Sequence, residues 1–211
     1  MNTDLTPNDL MNFELDIANE FNQGHIKSVI HLQSNCFKQL IEIFKDIKDE
    51  DWILGTWRFH AETLLKGVPK EKVKQAILDG KSISLCFPEY RTFASAIVTG
   101  NLPIGVGLAL SIKKQNKQNK IWIFCGEMTA TTGAFYEAVS YSMFHELPIT
   151  FVISDNGKSV CTNTRKVWKT NRLNYEPENL EEGKVHKTKY IWYYKYNLTW
   201  PHSGSGRRIE F

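Results

Sequence analysis

One stretch of the chain, residues 120–153, restricts the possible fold more than any other. Residues 120–125 form a continuous apolar run that ends at Gly126, which is typical of a strand covered on both faces. Residues 132–146 place apolar side chains at four-residue intervals, as a helix does, and residues 148–153 form a second β-rich run. This order predicts a βαβ unit with two parallel strands. The sequence therefore predicts an α/β fold with a mainly parallel sheet flanked by helices.

The remaining segments supply further elements of such a fold. Helices are predicted for residues 7–21, 30–47, 69–78 and 102–113, a buried strand for residues 52–56, and a loop over a surface or cleft for residues 81–100. The last helix contains Gly105, Gly107 and Ala109. Since glycine inside a helix costs about 1 kcal/mol relative to alanine, these small residues predict close packing against another element or against a helix of a second chain.

Composition argues against several classes of protein. Of the 211 residues, 42% are hydrophobic and 23% are charged, which is enough to bury a substantial core. The net charge of +3 is too small to indicate the basic surface of a nucleic-acid-binding protein. The chain has no apolar run of the roughly 18 residues that a membrane-spanning helix needs, and its first ten residues are polar and acidic. We therefore expect a cytoplasmic protein that binds neither nucleic acid nor a membrane.

Polar side chains follow both strands of the βαβ unit. Gly126 and Glu127 follow the first strand, and Asp155 and Asn156 follow the second. Ligands of open α/β sheets bind at the carboxyl ends of the strands, and carboxylate and amide oxygens suit Mg²⁺ that also binds phosphate. The pattern predicts a magnesium–diphosphate site, although the same residue types are also common as helix caps and turn formers.

The same region resembles a known family. The segment CGEMTATTGAFYEAVSYSMFHELPITFVISDNGKSVCTNT is similar to the thiamine diphosphate motif, in which a Gly-Asp-Gly triplet and an Asn-Asn pair are separated by a βαβ crossover. TGAFYEA, ELPITFV and DNGKSVCT resemble the α subunit of the thiamine diphosphate-dependent decarboxylating component of 2-oxo acid (pyruvate-type) dehydrogenases, in a shortened form. Upstream, in the family's order, stand IHL, DWILGTWRFHAETLLKGV and AIVTGNLPIGVGLAL. The resemblance covers about residues 9–165 and implies the thiamine diphosphate-binding (transketolase-like) fold.

The resemblance also implies roles for individual residues. The implied metal ligands are Glu127, the side chain of Asn156 and the backbone carbonyl of Lys158. The other implied cofactor-binding residues are Trp57 and Arg58 at the diphosphate, Ala96 and Val98 at the aminopyrimidine ring, and Gly126 beside the metal. His31 and His60 match histidines near the reacting carbon, where an imidazole can exchange protons near neutral pH.

Three positions depart from the family motif. Glu127 replaces an aspartate, Met128 a glycine, and Asp155 an asparagine. The carboxyl-terminal part also departs, because an aromatic, charged segment without a visible α/β repeat follows the motif. We therefore divide the chain into residues 1–165, the α-type domain that binds the diphosphate half of the cofactor, and residues 166–211, an extension that packs either on this domain or on a partner.

The function that the resemblance implies needs a second chain. In this family a β-type subunit carries the glutamate that activates the cofactor, so the chain is expected to act in an α2β2 heterotetramer. It would use thiamine diphosphate and Mg²⁺ to decarboxylate a 2-oxo acid and pass on the acyl or hydroxyalkyl fragment. The alternative is a catalytically degenerate relative that serves as a binding or scaffolding subunit, which Glu127, Met128 and the lack of the family's carboxyl-terminal portion favour.

Overall fold

The structure is a computed structural model that describes residues 1–2 and 4–208. Its helices are α1 (Pro7–Asn22), α2 (Phe37–Phe44), α3 (His60–Leu65), α4 (Lys70–Leu78), α5 (Asn101–Lys114), α6 (Glu127–Ala130), α7 (Gly133–Phe144) and α8 (Thr164–Trp168). Its strands are β1 (Trp52–Gly55), β2 (Cys86–Phe87), β3 (Thr92–Ala94), β4 (Ile121–Gly126), β5 (Ile149–Asp155), β6 (Lys158–Ser159), β7 (Thr162–Asn163), β8 (His186–Lys187) and β9 (Ile191–Lys195).

The central sheet has the strand order β2-β3-β1-β4-β5-β9-β8. The five inner strands run parallel, and the short strands β2 and β8 pair antiparallel at the two edges. β4 and β5 are neighbours, with Cys125 opposite Ile153. The predicted α/β fold with a mainly parallel sheet is confirmed.

Alternating side chains of β4 divide the core between the two faces of the sheet. Trp122 and Phe124 face a layer made by α1 to α4, whereas Ile121 and Ile123 face α5 and α7. All four side chains are buried, as expected of an inner parallel strand that helices cover on both sides. None of the helices in the described part of the chain is long and apolar enough to span a membrane.

Two predicted elements differ from the structure. Residues 30–36 are not helical, because Asn35 adopts a left-handed conformation (φ 55°) and α2 begins only at Phe37. Backbone carbonyls of this loop bond to distant groups: that of Ile30 accepts from Gly204, and that of Leu32 accepts from Arg58. The predicted loop at residues 81–100 contains β2 and β3, of which β3 pairs with β1. These strands are two and three residues long, too short for a periodicity to predict.

The segment after residue 165 supplies two strands to the same sheet. β9 lies parallel to β5, and its Trp192, Tyr193 and Tyr194 are buried. No α/β repeat is visible in the sequence of this part, because aromatic side chains buried on both faces of a strand give no alternating pattern. The division at residue 165 itself stays a prediction, and the last three residues of the extension lie outside the described part.

The small residues of α5 do not form one exposed face. Gly105 and Ala109 are buried, and a Cβ at Gly105 would lie 2.3 Å from Cδ1 of Ile123 on β4. Gly107 is exposed, and a Cβ there would meet nothing within 4 Å. Close packing against another element, one of the two predicted alternatives, is confirmed for Gly105, which allows the helix to approach its own sheet. Contact of these residues with a second chain stays a prediction.

This difference predicts opposite effects for two alanine substitutions. Gly105→Ala should lower the free energy of unfolding by about 1–2 kcal/mol, because the new methyl group overpacks a buried contact. Gly107→Ala should raise it by about 0.5–1 kcal/mol through helix propensity. Urea denaturation of both variants measures the difference, and shifts of the same sign would contradict the packing described for α5.

Candidate functional site

A cavity of about 80 Å³ lies at the carboxyl ends of β4 and β5. Most of the predicted cofactor and metal residues line it, namely Trp57, Arg58, Val98, Gly126, Glu127, Asn156 and Lys158. Ala96, His31 and His60 are not among the lining residues. The roles assigned to these residues stay predictions.

Glu127 is the first residue of α6 and is almost completely buried, at 2% exposure. The Thr164 hydroxyl donates to its Oε1 at 2.6 Å. Burial raises the pKa of Glu127 to about 7; nearby Asp155 adds to this shift, whereas the Thr164 hydrogen bond and the backbone of Asn156 oppose it. The carboxylate therefore has a hydroxyl donor but no ion-pair partner among the described residues, and the charge of Arg58 acts on it only at longer range.

Asn156 and Lys158 form a turn beside this carboxylate. The Asn156 Oδ1 accepts from the Lys158 backbone N–H at 2.9 Å, and the Asn156 Nδ2 donates to the Tyr196 hydroxyl at 3.2 Å. Lys158 then begins β6, which pairs with β7 in a two-stranded hairpin. The hairpin and Tyr196 together fix the direction of the amide group.

These groups fit a magnesium ion in their chemistry. A carboxylate, an amide oxygen and a backbone carbonyl are hard oxygen donors, and Mg²⁺ commonly takes only one or two carboxylates and keeps waters or phosphate oxygens as its other ligands. The described residues contain no group of three or more His, Cys, Asp or Glu side chains placed to bind a metal. A magnesium site made of one carboxylate, one amide oxygen and one backbone carbonyl does not need such a cluster of side chains. A bound cation would stabilise the charge of the buried Glu127 carboxylate.

Asp155 has a different role from the asparagine of the motif. Its carboxylate accepts from Arg165 Nη2 at 2.6 Å, the Tyr193 hydroxyl at 2.6 Å and the Gly157 N–H at 2.8 Å. Burial tends to raise the pKa of Asp155, but the hydrogen bonds from Arg165 and Tyr193 hold it below its ordinary value. Arg165 also pairs with Glu176 at 2.7 Å.

The three departures from the motif all have partners that follow the motif in sequence. Glu127 contacts Thr164, and Asp155 contacts Arg165 and Tyr193. The Met128 sulfur lies 3.4 Å from Nε1 of Trp168. These contacts join the departing residues to α8 and β9, which is a local reason for each unusual side chain.

Arg58 lies beside the cavity and is partly buried. Its Nε donates to the Leu32 carbonyl at 3.2 Å, and its Nη2 donates to the His202 carbonyl at 2.6 Å. Burial lowers the pKa of Arg58. The guanidinium therefore holds two parts of its own chain together, and this use of two donors limits how many remain for a phosphate group.

His31 is 7% exposed and lies beside the same tail residue. Its Nδ1 is 2.6 Å from the His202 carbonyl, and its ring centroid is 5.6 Å from that of Trp57. Burial lowers the pKa of His31 to about 4, and the hydrogen bond to the His202 carbonyl opposes this effect. His31 is therefore neutral at physiological pH.

His60 lies in the core rather than at the cavity. Its Nε2 is 2.9 Å from the Ser82 hydroxyl, its Nδ1 is 3.3 Å from the Glu14 carboxylate, and its ring is fully buried. His60 therefore lies between Glu14 of α1 and Ser82, which follows α4. The geometry assigns it no direct contact with a group in the cavity.

Val98 and Ala96 stand in the turn between β3 and α5. Val98 lines the cavity and is 46% exposed, and the following Thr99 has a left-handed backbone (φ 68°). Ala96 is half-buried. The predicted role of their backbone at an aminopyrimidine ring stays a prediction.

Sequence reasoning missed a buried acid in the wall of the cavity. Glu62 on α3 is 3% exposed, and both of its oxygens accept from Gln33 Nε2, at 3.1 and 3.0 Å. Burial raises the pKa of Glu62 to about 8, although the hydrogen bond from Gln33 opposes the shift. No motif indicated this pair, because the two residues are distant in sequence and only the packing of the loop on α3 joins them.

This buried acid predicts a pH dependence of stability. The pKa of Glu62 rises from the ordinary 4.5 to about 8 on folding, so the folded state keeps a proton that the unfolded state loses. Its contribution is therefore present below about pH 4.5 and is lost as pH rises toward 8, with a slope of up to about 1.4 kcal/mol per pH unit.

Glu62→Gln should remove this slope and stabilise the protein at the higher pH. Chemical denaturation at about pH 5.5 and about pH 7.5 measures the effect. Glu137→Gln, at an exposed position of α7, is the matched control and should leave the slope as in the wild type. Equal slopes in the wild type and Glu62→Gln would contradict the shift.

The fold and site define a class of protein: an α/β protein with an oxygen-ligand site at the carboxyl edge of a parallel sheet, where such sheets bind their ligands. The family model described as "Dehydrogenase E1 component" matches residues 8–175. The chain therefore belongs to the dehydrogenase E1 component family, whose members use thiamine diphosphate and Mg²⁺. The family resemblance predicted from the sequence is confirmed.

Several curated relatives are similar over the same region. The α subunit of acetoin:2,6-dichlorophenolindophenol oxidoreductase of Cupriavidus necator is 26% identical over 164 residues, which cover 73% of this chain and 49% of that protein. The subunit of the same description from Bacillus subtilis is 25% identical over 165 residues, with the same coverages. The α subunit of the pyruvate dehydrogenase E1 component of Porphyra purpurea is 25% identical over 163 residues, covering 69% and 47%. The chain spans about half the length of these relatives.

Proposed function

We propose that this chain is the α-type subunit of a thiamine diphosphate- and Mg²⁺-dependent enzyme that decarboxylates a 2-oxo acid and passes on the acyl or hydroxyalkyl fragment. One observation carries the proposal: Glu127, a buried carboxylate without an ion-pair partner among the described residues, lies beside the backbone of Asn156 in the wall of the same cavity. Family membership supports the cofactor, and the donor chemistry supports the ion.

The chain's own residues would have separate tasks. Glu127, Asn156 and the Lys158 carbonyl would hold the ion that binds the diphosphate, and Arg58 and Trp57 would border the phosphate groups. When bound, thiamine diphosphate would supply the carbanion that attacks the substrate carbonyl, and it would accept the electron pair that remains when carbon dioxide leaves. His31, neutral at physiological pH, would accept or return a proton near the reacting carbon.

A β-type partner is part of the proposal. The cavity in this chain is about 80 Å³, whereas pockets for small ligands and cofactors commonly measure about 300–1,000 Å³. This chain therefore offers one side of a binding site, and a second chain that supplies the remaining walls and the activating glutamate would complete it. We infer an α2β2 assembly on the same basis of resemblance.

Calorimetric titration of the chain, assembled with a β-type partner, tests cofactor binding. We expect saturable binding of thiamine diphosphate with Mg²⁺ and loss of that binding when the ion is chelated. Decarboxylation of pyruvate and branched 2-oxo acids is then measured with an artificial electron acceptor. Acetoin, which has no carboxylate to lose, is tested separately for oxidation because two relatives are named as acetoin oxidoreductase subunits. Binding without turnover on any of these substrates would reject the catalytic proposal.

The second candidate function is a non-catalytic subunit that keeps the fold for binding or scaffolding. A specific observation favours it: two donors of Arg58 and Nδ1 of His31 already bond to the chain's own carbonyls. Metal-dependent cofactor binding in the titration would exclude this candidate. Normal assembly with the β-type partner, together with no cofactor binding at any ion concentration, would support it.

A further inference from the structure

The carboxyl-terminal tail, residues 197–208, covers the loop that carries His31. The Asn197 carbonyl accepts from Asn35, the Thr199 backbone N–H and hydroxyl both bond to the Ser34 hydroxyl at 3.0 and 2.9 Å, and the Gly204 N–H donates to the Ile30 carbonyl at 2.9 Å. The tail lies beyond residues 8–175, which the family model matches. It is therefore a feature of this chain that the family match does not describe.

One carbonyl of this tail serves two residues of the site. The His202 carbonyl accepts from Arg58 Nη2 and lies 2.6 Å from His31 Nδ1. A carbonyl can only accept, so Nδ1 of His31 carries the proton and Nε2 is the nitrogen with the free lone pair. The tail thereby selects the tautomer of His31.

The His202 ring adds a second contact. Its centroid lies 4.7 Å from that of His31 and 6.0 Å from that of Trp57, with edge-to-face geometry in both pairs. Such aromatic contacts contribute about 0.5–1.5 kcal/mol beyond their burial. The ring therefore helps to keep His31 out of water.

We propose that His202 is a positioning residue of this site, which fixes the tautomer and burial of His31 through its carbonyl and ring and holds Arg58 through the same carbonyl. This positioning role rests on the proposed function, in which His31 and Arg58 act at the cofactor site. Sequence analysis placed His202 in the extension and assigned it no role. The tail thus contacts Arg58, which lines the cavity, and His31, which lies beside the cavity residue Trp57.

The charged groups that act on His31 are Arg58, His202 and His60. All three disfavour a positive charge on the ring, and burial disfavours it most, so the pKa of His31 falls to about 4. Loss of the His202 ring would expose His31 and remove one of these charges. Both changes raise the pKa of His31, whereas a role limited to general stability would leave it unchanged.

Histidine-labelled full chain, studied by long-range ¹H–¹⁵N NMR with a pH titration, tests the proposal without any cofactor. In the wild type we expect His31 as the Nδ1–H tautomer with a pKa near 4. His202→Ala should raise this pKa by at least about one unit, and His202→Phe, which keeps an aromatic ring, should restore it. Thr199→Val, which removes only the side-chain member of the two hydrogen bonds to Ser34, should shift it in the same direction as His202→Ala but by less.

His186→Ala, at an exposed histidine of β8, is the matched control and should leave the His31 signals unchanged. An Nε2–H tautomer in the wild type, or the same His31 pKa in the wild type and His202→Ala, would overturn the positioning role. Because the measurement needs neither thiamine diphosphate nor a partner, its result is independent of the titration that tests the proposed function. A normal His31 result with failed cofactor binding would reject the function and leave the contact established.

Discussion

Replacing Asp155 with alanine is expected to lower the free energy of unfolding by about 3–5 kcal/mol. The substitution removes the buried carboxylate of an ion pair and takes an acceptor away from the groups that donate to it. Asp155 is 2% exposed and accepts from Arg165, Tyr193 and the Gly157 N–H. Without the carboxylate, the buried Tyr193 hydroxyl loses its acceptor, and the Arg165 guanidinium keeps only Glu176. For a domain whose total stability is commonly about 5–15 kcal/mol, this is a large fraction.

Two further variants separate the contribution of the ion pair from the cost of removing any charged side chain. Asp155→Asn restores the residue type of the family motif and keeps one acceptor oxygen, so its loss of stability should be smaller. Glu178→Ala removes the partner of Arg172 in an exposed pair and should cost no more than about 1 kcal/mol. Denaturant unfolding measures all three. A cost for Asp155→Ala as small as that of Glu178→Ala would mean that the buried network carries little stability.

Replacing Glu127 with glutamine is expected to weaken Mg²⁺-dependent binding of thiamine diphosphate to the assembled protein by at least about 100-fold. Even changes in residues that only orient the ligands of a metal cost about 10–100-fold in affinity. The amide has nearly the same shape and still accepts from the Thr164 hydroxyl. Burial disfavours the charged carboxylate, so the neutral amide should leave the thermal midpoint unchanged or higher. Lost binding with an intact fold is the expected signature of a metal ligand.

The matched control for this variant is Glu137→Gln, at an exposed position on α7, which should bind as the wild type does. Calorimetric titration with thiamine diphosphate at fixed Mg²⁺ concentration measures the affinities. Equal affinity in Glu127→Gln and the wild type would remove Glu127 from the proposed ligand set. It would also favour the scaffolding function if neither protein required the ion.

The departures from the motif have a shared structural meaning. Each of the three departing side chains contacts a residue of α8: Glu127 contacts Thr164, Met128 contacts Trp168, and Asp155 contacts Arg165. Asp155 also contacts Tyr193 of β9. A side chain that drifts without constraint would not be expected to find a specific partner at each position. The site and the carboxyl-terminal third of the chain therefore form one structural unit, and changes in either are expected to affect the other.

Local patterns in the sequence were enough to predict the central part of the fold. Residues 120–153 have a continuous apolar run, a helical periodicity and a second β-rich run, and each of these signals depends only on neighbouring residues. The order of the elements then restricts β4 and β5 to a parallel pair, whose carboxyl ends bring Glu127 and Asn156 together. The family resemblance followed from the same stretch.

Long-range contacts determined the rest, and no local pattern encodes them. Residues 30–36 have helical spacing but bond instead to Arg58 and Gly204, because tertiary hydrogen bonds replaced those of a helix turn. The aromatic run of β9 became an inner strand since both faces of the sheet bury it. His202 reached His31 across 171 positions of sequence. Propensity and periodicity describe neighbours along the chain, whereas these contacts depend on which distant surfaces pack together.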